Sequence, residues 1–449
     1  MRNSLGLKVV AIGALSVLLL LGLLWIRSIV TERQTRRDAV VNDIAASSSL
    51  AQRLEGPFLV VPYEKTVREW KVDRASGDRH TEERQVSGQL LLLPEVFRLD
   101  GSMPTELRAR GIYEARLYHA NMRIQANFQI PPHYGVGAEA SAYRFGQPSI
   151  ALGVADIRGI ESGAKVFLNG APLSLLAGST SALLGPGLHA PIAPVDSDAV
   201  SPLNFAIELN IQGTSQFDLM PVGRDSQISL SSNWRSPSFI GHYLPVTHKI
   251  GAAGFDAQWS TSFFSTNLEE SLHRCSDGEG QCDEFASRVL GVSFVDPVDQ
   301  YLRTDRAIKY GFLFISLTFA GFFLFEVLGQ LAVHPMQYTL VGSALALFYL
   351  LLLSLSEHLG FAVAYLLSSV ACVALIGFYV SGILRSAKRG LGFAGALALL
   401  YGMLYALLSA DDYALLMGSV LVFGLLAVVM VLTREVDWAS LGRRKEEAS

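Results

Sequence analysis

Charged residues are scarce in this chain of 449 residues, since Asp, Glu, Lys and Arg make up only 17% of it. An ordinary soluble domain carries about 25%. The formal net charge is −4, and no long basic stretch interleaved with aromatic side chains occurs, so we expect no nucleic-acid partner. Hydrophobic residues reach 50% and the mean hydropathy is +0.34, which is typical of a membrane protein.

Catalytic signatures are also missing from the sequence. It contains no H-E-x-x-H, no Walker-type glycine loop, no G-x-S-x-G and no C-x-x-C. The nearest approach is Ser354-Leu-Ser-Glu-His358, but neighbouring residues of a helix point in different directions, which favours a polar helix end over a catalytic triad. The sequence therefore leaves an enzyme unsupported without excluding one, and it indicates no cofactor.

Cysteine occurs only three times. Cys275 and Cys282 flank a glycine-rich turn, and in an oxidising compartment we expect them to form a disulfide at a hairpin tip, contributing about 2–3 kcal/mol. A metal site is less favoured, because only His273 and acidic residues stand nearby. Cys372 lies in an apolar stretch and is interpreted as a packing residue.

Six apolar stretches are long enough to cross about 30 Å of hydrocarbon as helices. The first ends in Trp25-Ile26-Arg27 without a small-x-small cleavage site, so it is predicted to be a retained anchor and not a cleaved signal peptide. The six stretches are Val9 to Ile26, Gly311 to Leu328, Tyr338 to Leu355, Phe361 to Leu384, Leu391 to Leu408 and Tyr413 to Leu432.

The basic residues of short loops predict the orientation, because such loops stay on the cytoplasmic side. The loop from Arg385 to Arg389 and the tail from Arg443 to Lys445 are basic, while the loop from Ala410 to Asp412 is acidic. Both termini are therefore predicted to be cytoplasmic. Four arginines after the first stretch oppose this assignment, but the rule is weak for long translocated segments. They are Arg27, Arg33, Arg36 and Arg37.

These observations predict a multi-pass α-helical membrane protein. Residues 1–26 form the anchor, residues 27–310 a large extracytoplasmic β-rich domain, residues 311–432 a bundle of five helices and residues 433–449 a cytoplasmic tail. A loose amphipathic pattern predicts that a helix from Thr31 to Leu54 leads into the β-rich domain.

Polar and apolar residues alternate with a period of two between Tyr118 and Ile130, which predicts a strand with one buried face. The phase slips at Leu117–Tyr118, where we expect a β-bulge. Many short strands of this kind indicate an antiparallel sandwich. Further strands are predicted at Phe58 to Tyr63, Gln89 to Leu93, Lys165 to Leu168, Phe205 to Ile211 and Gln227 to Leu230.

Ionisable residues near the apolar stretches are the candidate functional residues, because a charge within hydrocarbon costs about 2.5–3.5 kcal/mol. Glu326 lies near the inner end of the second stretch, and a polar cap that faces His334 or Gln337 is favoured over a proton or ion path. A second group is predicted at the outer membrane face, where docking of the β-rich domain is favoured over signal relay. It comprises Arg303, Asp305, Arg306, Lys309, Glu357, His358, Asp411 and Asp412.

Several motifs resemble those of the CreD family of inner membrane proteins, also described as cell envelope integrity proteins. The resemblance spans nearly the whole chain. Its motifs are Gly56-Pro-Phe-Leu-Val-Val-Pro-Tyr63, Gly111-Ile-Tyr-Glu114, Tyr301-Leu-Arg-Thr-Asp-Arg-Ala-Ile-Lys-Tyr310, His334-Pro-Met-Gln-Tyr338, Leu353-Ser-Leu-Ser-Glu-His358, Asp412-Tyr-Ala-Leu-Leu-Met-Gly-Ser419 and Thr433-Arg-Glu-Val-Asp-Trp438.

The resemblance implies a Gram-negative inner-membrane protein linked to the CreBC regulon, envelope integrity, colicin tolerance and the β-lactam response. It implies no established reaction and no catalytic residues. We therefore expect a protein that binds or scaffolds an envelope protein or a cell-wall component, besides contacting the lipid bilayer. The alternative is an enzyme or transporter that acts on a lipid or cell-wall intermediate at the outer face. The sequence leaves the oligomeric state open.

Overall fold

The computed structural model describes residues 5–72, 79–195, 199–276, 282–294, 299–328 and 333–409, together with scattered residues between 416 and 434. The chain divides into two compact units. The first, called the membrane unit below, comprises Met1–Asp38 and Val298–Ser449. The second, called the β domain, comprises Ala39–Pro297.

Eight α-helices lie in the described part of the chain, and five of them are long and apolar enough to cross a membrane. The predicted stretch Tyr413 to Leu432 lies mostly outside the described residues. The helices are α1 (Leu5–Ser47), α2 (Phe263–Thr266), α3 (Leu268–Ser276), α4 (Cys282–Ser287), α5 (Gln300–Leu328), α6 (Pro335–Leu359), α7 (Phe361–Ile383) and α8 (Ala387–Ser409).

The candidate spans are α1 and α5 to α8, and each matches one of the predicted apolar stretches. Helix α7 ends at Ile383, one residue before the end of its predicted stretch. The anchor and the amphipathic entry segment form one helix, α1, which ends at Ser47. The entry helix predicted to reach Leu54 is therefore too long, because a strand begins at Gln52.

Helix α6 begins with His334 as its N-cap and Pro335 in its first turn, which suits proline because that turn needs no N–H donor. Gly360, with a φ of 75°, separates α6 from α7.

The β domain contains eighteen strands among its described residues. All five additional strands predicted from the sequence are present, with longer bounds in most cases. The strands are β1 (Gln52–Val72), β2 (Arg79–Leu92), β3 (Val96–Ser102), β4 (Thr105–Arg110), β5 (Tyr113–Ile130), β6 (Tyr143–Phe145), β7 (Ser149–Val154), β8 (Lys165–Leu168), β9 (Ala171–Leu173), β10 (Leu176–Ala177), β11 (Gly187–Pro191), β12 (Ser201–Thr214), β13 (Gln216–Leu219), β14 (Asp225–Ser232), β15 (Ser238–Gly241), β16 (Thr247–Gly251), β17 (Gly254–Ser262) and β18 (Leu290–Ser293).

These strands form two sheets of nine strands each among the described residues. The first has the order β10-β11-β7-β1-β13-β18-β15, with β2 and β6 also paired to β1. The second has the order β16-β17-β14-β3-β5-β12-β8-β9, with β4 paired to β5. Only the pairs β1–β13 and β3–β14 are parallel within this described part. The antiparallel β-rich domain predicted from the sequence is confirmed.

One hydrophobic core lies between the two sheets. Phe58 and Leu59 of the first sheet belong to the same buried cluster as Phe97, Ile124 and Ile207 of the second. Each of these residues is at most 2% exposed, so the inner faces of both sheets are removed from water. Burial of such side chains contributes about 1.5–3 kcal/mol each, which makes this shared core the main stabilising feature of the β domain.

The bulge predicted at Leu117–Tyr118 is wrong. Strand β5 pairs with β12 in one continuous register from Ile130 back to Leu117. Both Leu117 and Tyr118 are nevertheless buried, because the strand is covered on both faces here. Tyr118 faces the main core, whereas Leu117 packs with Ala115 against Ile44 near the end of α1. The change of phase therefore marks a second packing surface.

Cys275 and Cys282 are joined by a disulfide, with 4.6 Å between their Cα atoms. The expected hairpin tip is not found, because the cysteines belong to the short helices α3 and α4. Helix α3 is amphipathic and buries Leu268, Leu272 and Cys275, which are spaced as one helical face. The disulfide thus closes a small helical pair against the core of the β domain.

Candidate functional site

Charged residues of the predicted outer-face group pair with the N-terminal helix inside the membrane unit. Arg27 of α1 donates from Nε to Asp305 Oδ1 of α5 at 2.8 Å. Lys309, one turn further along α5, lies with its Nζ 2.8 Å from Asp305 Oδ2. The Asp305 side chain is only 17% exposed, so it sits between two cations with little access to water. These contacts fasten α1 to α5.

Two further arginines of α1 extend the same arrangement. Arg37 forms an ion pair with Asp299, and its guanidinium lies 5.7 Å from the centre of the Tyr301 ring. The Tyr301 hydroxyl donates to Glu357 Oε1 of α6 at 3.0 Å, and Arg33 lies 3.9 Å from Glu357 Oε2. We call this set the Asp305 cluster. Its members are Arg27, Arg33, Arg37, Asp299, Tyr301, Asp305, Lys309 and Glu357.

The remaining predicted members of the outer-face group are less closely connected. The Arg303 guanidinium lies 5.5 Å from the centre of the Phe361 ring at the start of α7. Arg306 is half-buried on α5, and His358 is exposed in the last turn of α6. Asp411 and Asp412 lie outside the described residues. The sequence predicted the charged group, but the arginines of α1 as its partners were missed.

Glu326 is buried near the C-terminal end of α5, with 7% of its surface exposed. Its Oε2 accepts a hydrogen bond from the Tyr338 hydroxyl at 2.9 Å, and its Oε1 accepts one from the Val333 backbone N–H at 3.4 Å. This tyrosine was not among the partners expected from the sequence. The carboxyl group thus ties the end of α5 to the first turns of α6.

His334 and Gln337, the partners expected for Glu326, cap helix α6. His334 Nδ1 accepts from the Met336 backbone N–H at 3.2 Å, and the Gln337 side chain accepts from the His334 backbone N–H at 3.1 Å. Such reciprocal bonds satisfy N–H groups that have no partner within the helix. Both side chains therefore have a local structural role.

A polar trough of about 590 Å³ crosses the outward face of the second sheet. Two rows of side chains in cross-strand register line it, one residue from each of β17, β14, β3, β5 and β12. The first row is Gln258, Ser229, Asp100, Arg123 and Glu208, and the second is Asp256, Ser231, Ser102, Asn121 and Asn210.

The intervening residues of the same strands point into the core, as the alternation of a strand requires. Met122, Leu230 and Ala257 are each at most 2% exposed. At strand spacings of about 4.8 Å the rows extend about 19 Å across the sheet and lie about 7 Å apart. Packing from below therefore holds ten hydrogen-bonding side chains on a rigid surface.

Arg123 lies on β5, the fourth of the five strands that form the trough. It stands opposite Asp100 on one neighbouring strand and Glu208 on the other. Among the residues that the structure describes, none of these three forms an ion pair, so their hydrogen-bonding groups remain open to a ligand. The sequence predicted the polar face of β5, but the register that aligns five strands depends on long-range pairing and was missed.

A second polar constellation in the β domain joins the end of α1 to the first sheet. The buried Asp156 carboxylate accepts from the Leu50 backbone N–H at 3.1 Å and from Arg158 Nη2 at 2.6 Å. Arg158 Nη1 donates to the Ala46 carbonyl at 2.7 Å, in the last turn of α1. The hydrogen bonds from Arg158 lower the pKa of Asp156 to about 2. Gln52 Nε2 donates to the Asp156 carbonyl at 2.9 Å.

The polar clusters described above do not resemble a metal site. No group of three or more His, Cys, Asp or Glu side chains suited to a metal ion occurs within the described ranges. The carboxylates of the Asp305 cluster face arginines and a lysine, which favours a structural role over Lewis-acid chemistry at that place.

Comparisons with known proteins agree with the resemblance noted from the sequence motifs. A family described as "Inner membrane protein CreD" matches residues 4–439. The inner membrane protein CreD of Escherichia coli (strain K12) is 35% identical over 449 residues, which are 100% of this chain and 97% of that protein. The suspected family is therefore confirmed over nearly the whole length.

Proposed function

Because the chain belongs to the CreD family of inner membrane proteins, we propose that it maintains the cell envelope by binding a cell-wall glycan at its β domain. The helices of the membrane unit serve as the anchor. The polar trough is the observation that carries this proposal, since it is a concave surface of about 590 Å³ lined by ten hydrogen-bonding side chains of the β domain.

The chemistry of the trough suits a polyhydroxylated chain. Amide side chains both donate and accept, serine hydroxyls do the same, and carboxylates accept from sugar hydroxyls. The Arg123 guanidinium is planar and can bind a carboxylate with two parallel hydrogen bonds. The peptide stems of a cell wall present such carboxylates. The strand backbones that carry these side chains are ordered before binding, so a ligand need not order the sheet.

The orientation belongs to the same proposal. We place both termini in the cytoplasm and the β domain in the periplasm, where a cell-wall glycan is accessible. The basic loop that contains Arg385, Lys388 and Arg389 supports this placement, because such loops are retained on the cytoplasmic side.

The finer roles implied by the family resemblance follow from a binding function. A protein that holds or shields cell-wall material alters how the envelope responds when β-lactams block wall synthesis or when colicins cross it. We propose that loss of this chain changes both responses, under control of the CreBC regulon. Binding and scaffolding account for these effects without a catalysed reaction.

The second candidate function is that of an enzyme or transporter at the outer membrane face. It would use Glu357 and His358 as reacting groups. Glu357 already accepts from the Tyr301 hydroxyl and faces Arg33, which supports a structural role for this carboxylate. The trough, by contrast, presents groups open to a ligand. Binding is therefore the preferred function.

Co-sedimentation with cell-wall sacculi tests the proposal directly. The full-length protein in detergent is mixed with sacculi purified from a Gram-negative bacterium, and the bound fraction is measured over a range of sacculus concentrations. Arg123→Ala removes the guanidinium of the trough and is expected to weaken binding about tenfold or more, as loss of a charge-assisted hydrogen bond does.

Arg84→Ala is the matched control, because Arg84 is an exposed arginine on β2 of the other sheet. This variant is expected to bind like the unmodified protein. Absence of binding by the unmodified protein would overturn the proposal. An equal loss of sacculus binding in the two variants would also overturn the proposal, because binding would then depend on general electrostatic attraction and not on the trough.

A further inference from the structure

A long apolar groove lies between α7 and α8 of the membrane unit, with a volume of about 970 Å³. Its floor is formed where the two helices touch through small residues. A Cβ atom placed on Gly377 would come within 2.8 Å of the Ala394 Cβ, so glycine permits this close approach. The rims are large apolar side chains, among them Val370, Phe378 and Leu391.

The rim residues are exposed in the protein. Phe378 is 82%, Leu391 75% and Val370 58% exposed. Both α7 and α8 are long and apolar enough to span a membrane. In a bilayer, their exposed side chains therefore face hydrocarbon. The groove therefore opens toward the acyl region of the membrane. Leaving it empty would forfeit van der Waals contacts along both helices.

The C-terminal stretch of the chain does not pack in the groove at Gly418, the residue whose contacts are described. A Cβ on Gly418 would lie 3.5 Å from Leu407 Cδ1 and 3.9 Å from Tyr310 Cε1. Leu407 follows the groove residue Ala398 by nine positions, which at about 100° per residue is half a turn around α8. At Gly418 the C-terminal stretch thus lies on the face of α8 opposite the groove.

One end of the groove is strongly basic. Arg385, Lys388 and Arg389 are exposed next to the groove residues Ser381 and Ala387. None of the three basic side chains forms an ion pair with a residue that the structure describes.

Helix α8 makes this basic end more positive. Lys388 and Arg389 stand in its first turn, which contains no acidic residue. The N-terminus of a helix is the positive end of its dipole and favours anions, so two cations there repel the helix end. An anionic group bound at this place would relieve that repulsion.

We infer that the groove binds an anionic phospholipid, with an acyl chain between α7 and α8 and the phosphate at Arg385 and Lys388. The groove runs along α7 from Ser381 to Tyr365, a helical length of about 24 Å at about 1.5 Å per residue. That length accommodates an acyl chain that starts at the basic end. Charge complementarity selects an anionic headgroup over a zwitterionic one.

Lipid titration of the purified full-length protein, followed by native mass spectrometry, tests the inference. Phosphatidylglycerol and phosphatidylcholine with the same acyl chains are compared. The unmodified protein is expected to bind phosphatidylglycerol about tenfold or more tightly than phosphatidylcholine. The double variant R385Q/K388Q is expected to bind both lipids equally.

Ala374→Trp fills the groove from an exposed lining position and is expected to weaken the binding of both lipids. Ala371→Trp is the matched control, because Ala371 is exposed on the same helix and does not line the groove. It is expected to leave lipid binding unchanged.

Three results would overturn the inference. The first is equal affinity of the unmodified protein for the two lipids. The second is an equal loss of lipid binding in the two tryptophan variants. The third is a dimer that forms without lipid and is broken by Ala374→Trp, because a second copy would then occupy the groove.

Discussion

Asp156 shows how much a single buried carboxylate contributes to the β domain. Its oxygens accept from the backbone of Leu50 and from the guanidinium of Arg158, which in turn holds the last turn of α1 at Ala46. Hydrogen bonds that involve a charged group are shorter and stronger than those between neutral groups. This one residue therefore positions the entry from helix to sheet.

The lowered pKa of Asp156 makes that contribution dependent on pH. The pKa falls from an ordinary 3.8 to about 2 in the folded protein, chiefly through Arg158. The stabilisation is fully present above pH 3.8 and is lost as the pH falls toward 2. Hydrogen exchange of the full-length protein should show the Leu50 amide losing protection within this window.

Asp156→Asn should lower the protection of the Leu50 amide at neutral pH and remove its decline between pH 4 and pH 2. Asp225→Asn is the control, because Asp225 is exposed at the start of β14. It should behave like the unmodified protein. A variant at position 156 that keeps both full protection and the acid decline contradicts this account.

Glu326 is the second residue whose partners define its role. Its carboxyl group accepts from the Tyr338 hydroxyl and from the Val333 backbone. Tyr338→Phe leaves the buried carboxyl group with one donor fewer, and we expect a loss of about 1–3 kcal/mol in unfolding free energy. Thermal unfolding in detergent measures this loss, with Tyr379→Phe on α7 as the control.

Combining Glu326→Leu with Tyr338→Phe removes both polar groups, so part of the lost stability should return. In-cell function should survive in this double variant if Glu326 acts structurally. A double variant that is stable but inactive would instead favour the proton or ion path considered for this residue.

At the scale of elements, helix α1 is fastened to the rest of the membrane unit by long-range ion pairs. Its Arg27 meets Asp305 across 278 positions of sequence. The sequence predicted α1 from its apolar run and predicted the charged start of α5 from its residues. Which arginine meets which carboxylate could not be predicted, because the pairing depends on how the helices pack.

The Tyr301–Glu357 hydrogen bond joins α5 to α6 within the Asp305 cluster. Tyr301→Phe should reduce the unfolding free energy of the protein by about 1.5–3 kcal/mol, since the acceptor is a carboxylate. Tyr310→Phe on the same helix is the control. In-cell function should fall in proportion to stability; complete loss of function in a stable Tyr301 variant would support the catalytic reading of Glu357.

Strands differ in how well their sequences predict them. The pattern of β5 predicted the buried residues from Tyr118 to Ile130, because one face meets the core along that length. The same pattern failed at Leu117, which packs against Ile44 of α1 on the other face. Periodicity predicts a single buried face, and a second partner that is distant in sequence is invisible to it.

For the whole molecule, the sequence predicted a helical membrane unit and an antiparallel β domain. The length of an apolar stretch and the alternation of polar and apolar residues are local properties of the sequence. The structure contains the helices and strands that these properties predicted. The polar trough required the register of five strands, of which β3 and β17 are separated by about 150 positions. The proposed binding site could therefore not be predicted from the sequence, although the polar alternation of one of its strands was predicted.

We propose above all that the polar trough binds cell-wall glycan in the cell. A photo-crosslinking amino acid at Asn121, in the second row of the trough, tests it most directly when the captured material is identified by mass spectrometry. A probe at Arg84 on the other sheet is the control. We predict that Asn121 captures glycan fragments and that Arg84 does not. Capture of equal material at both probes, or of lipid or cytoplasmic proteins at Asn121, would contradict the account.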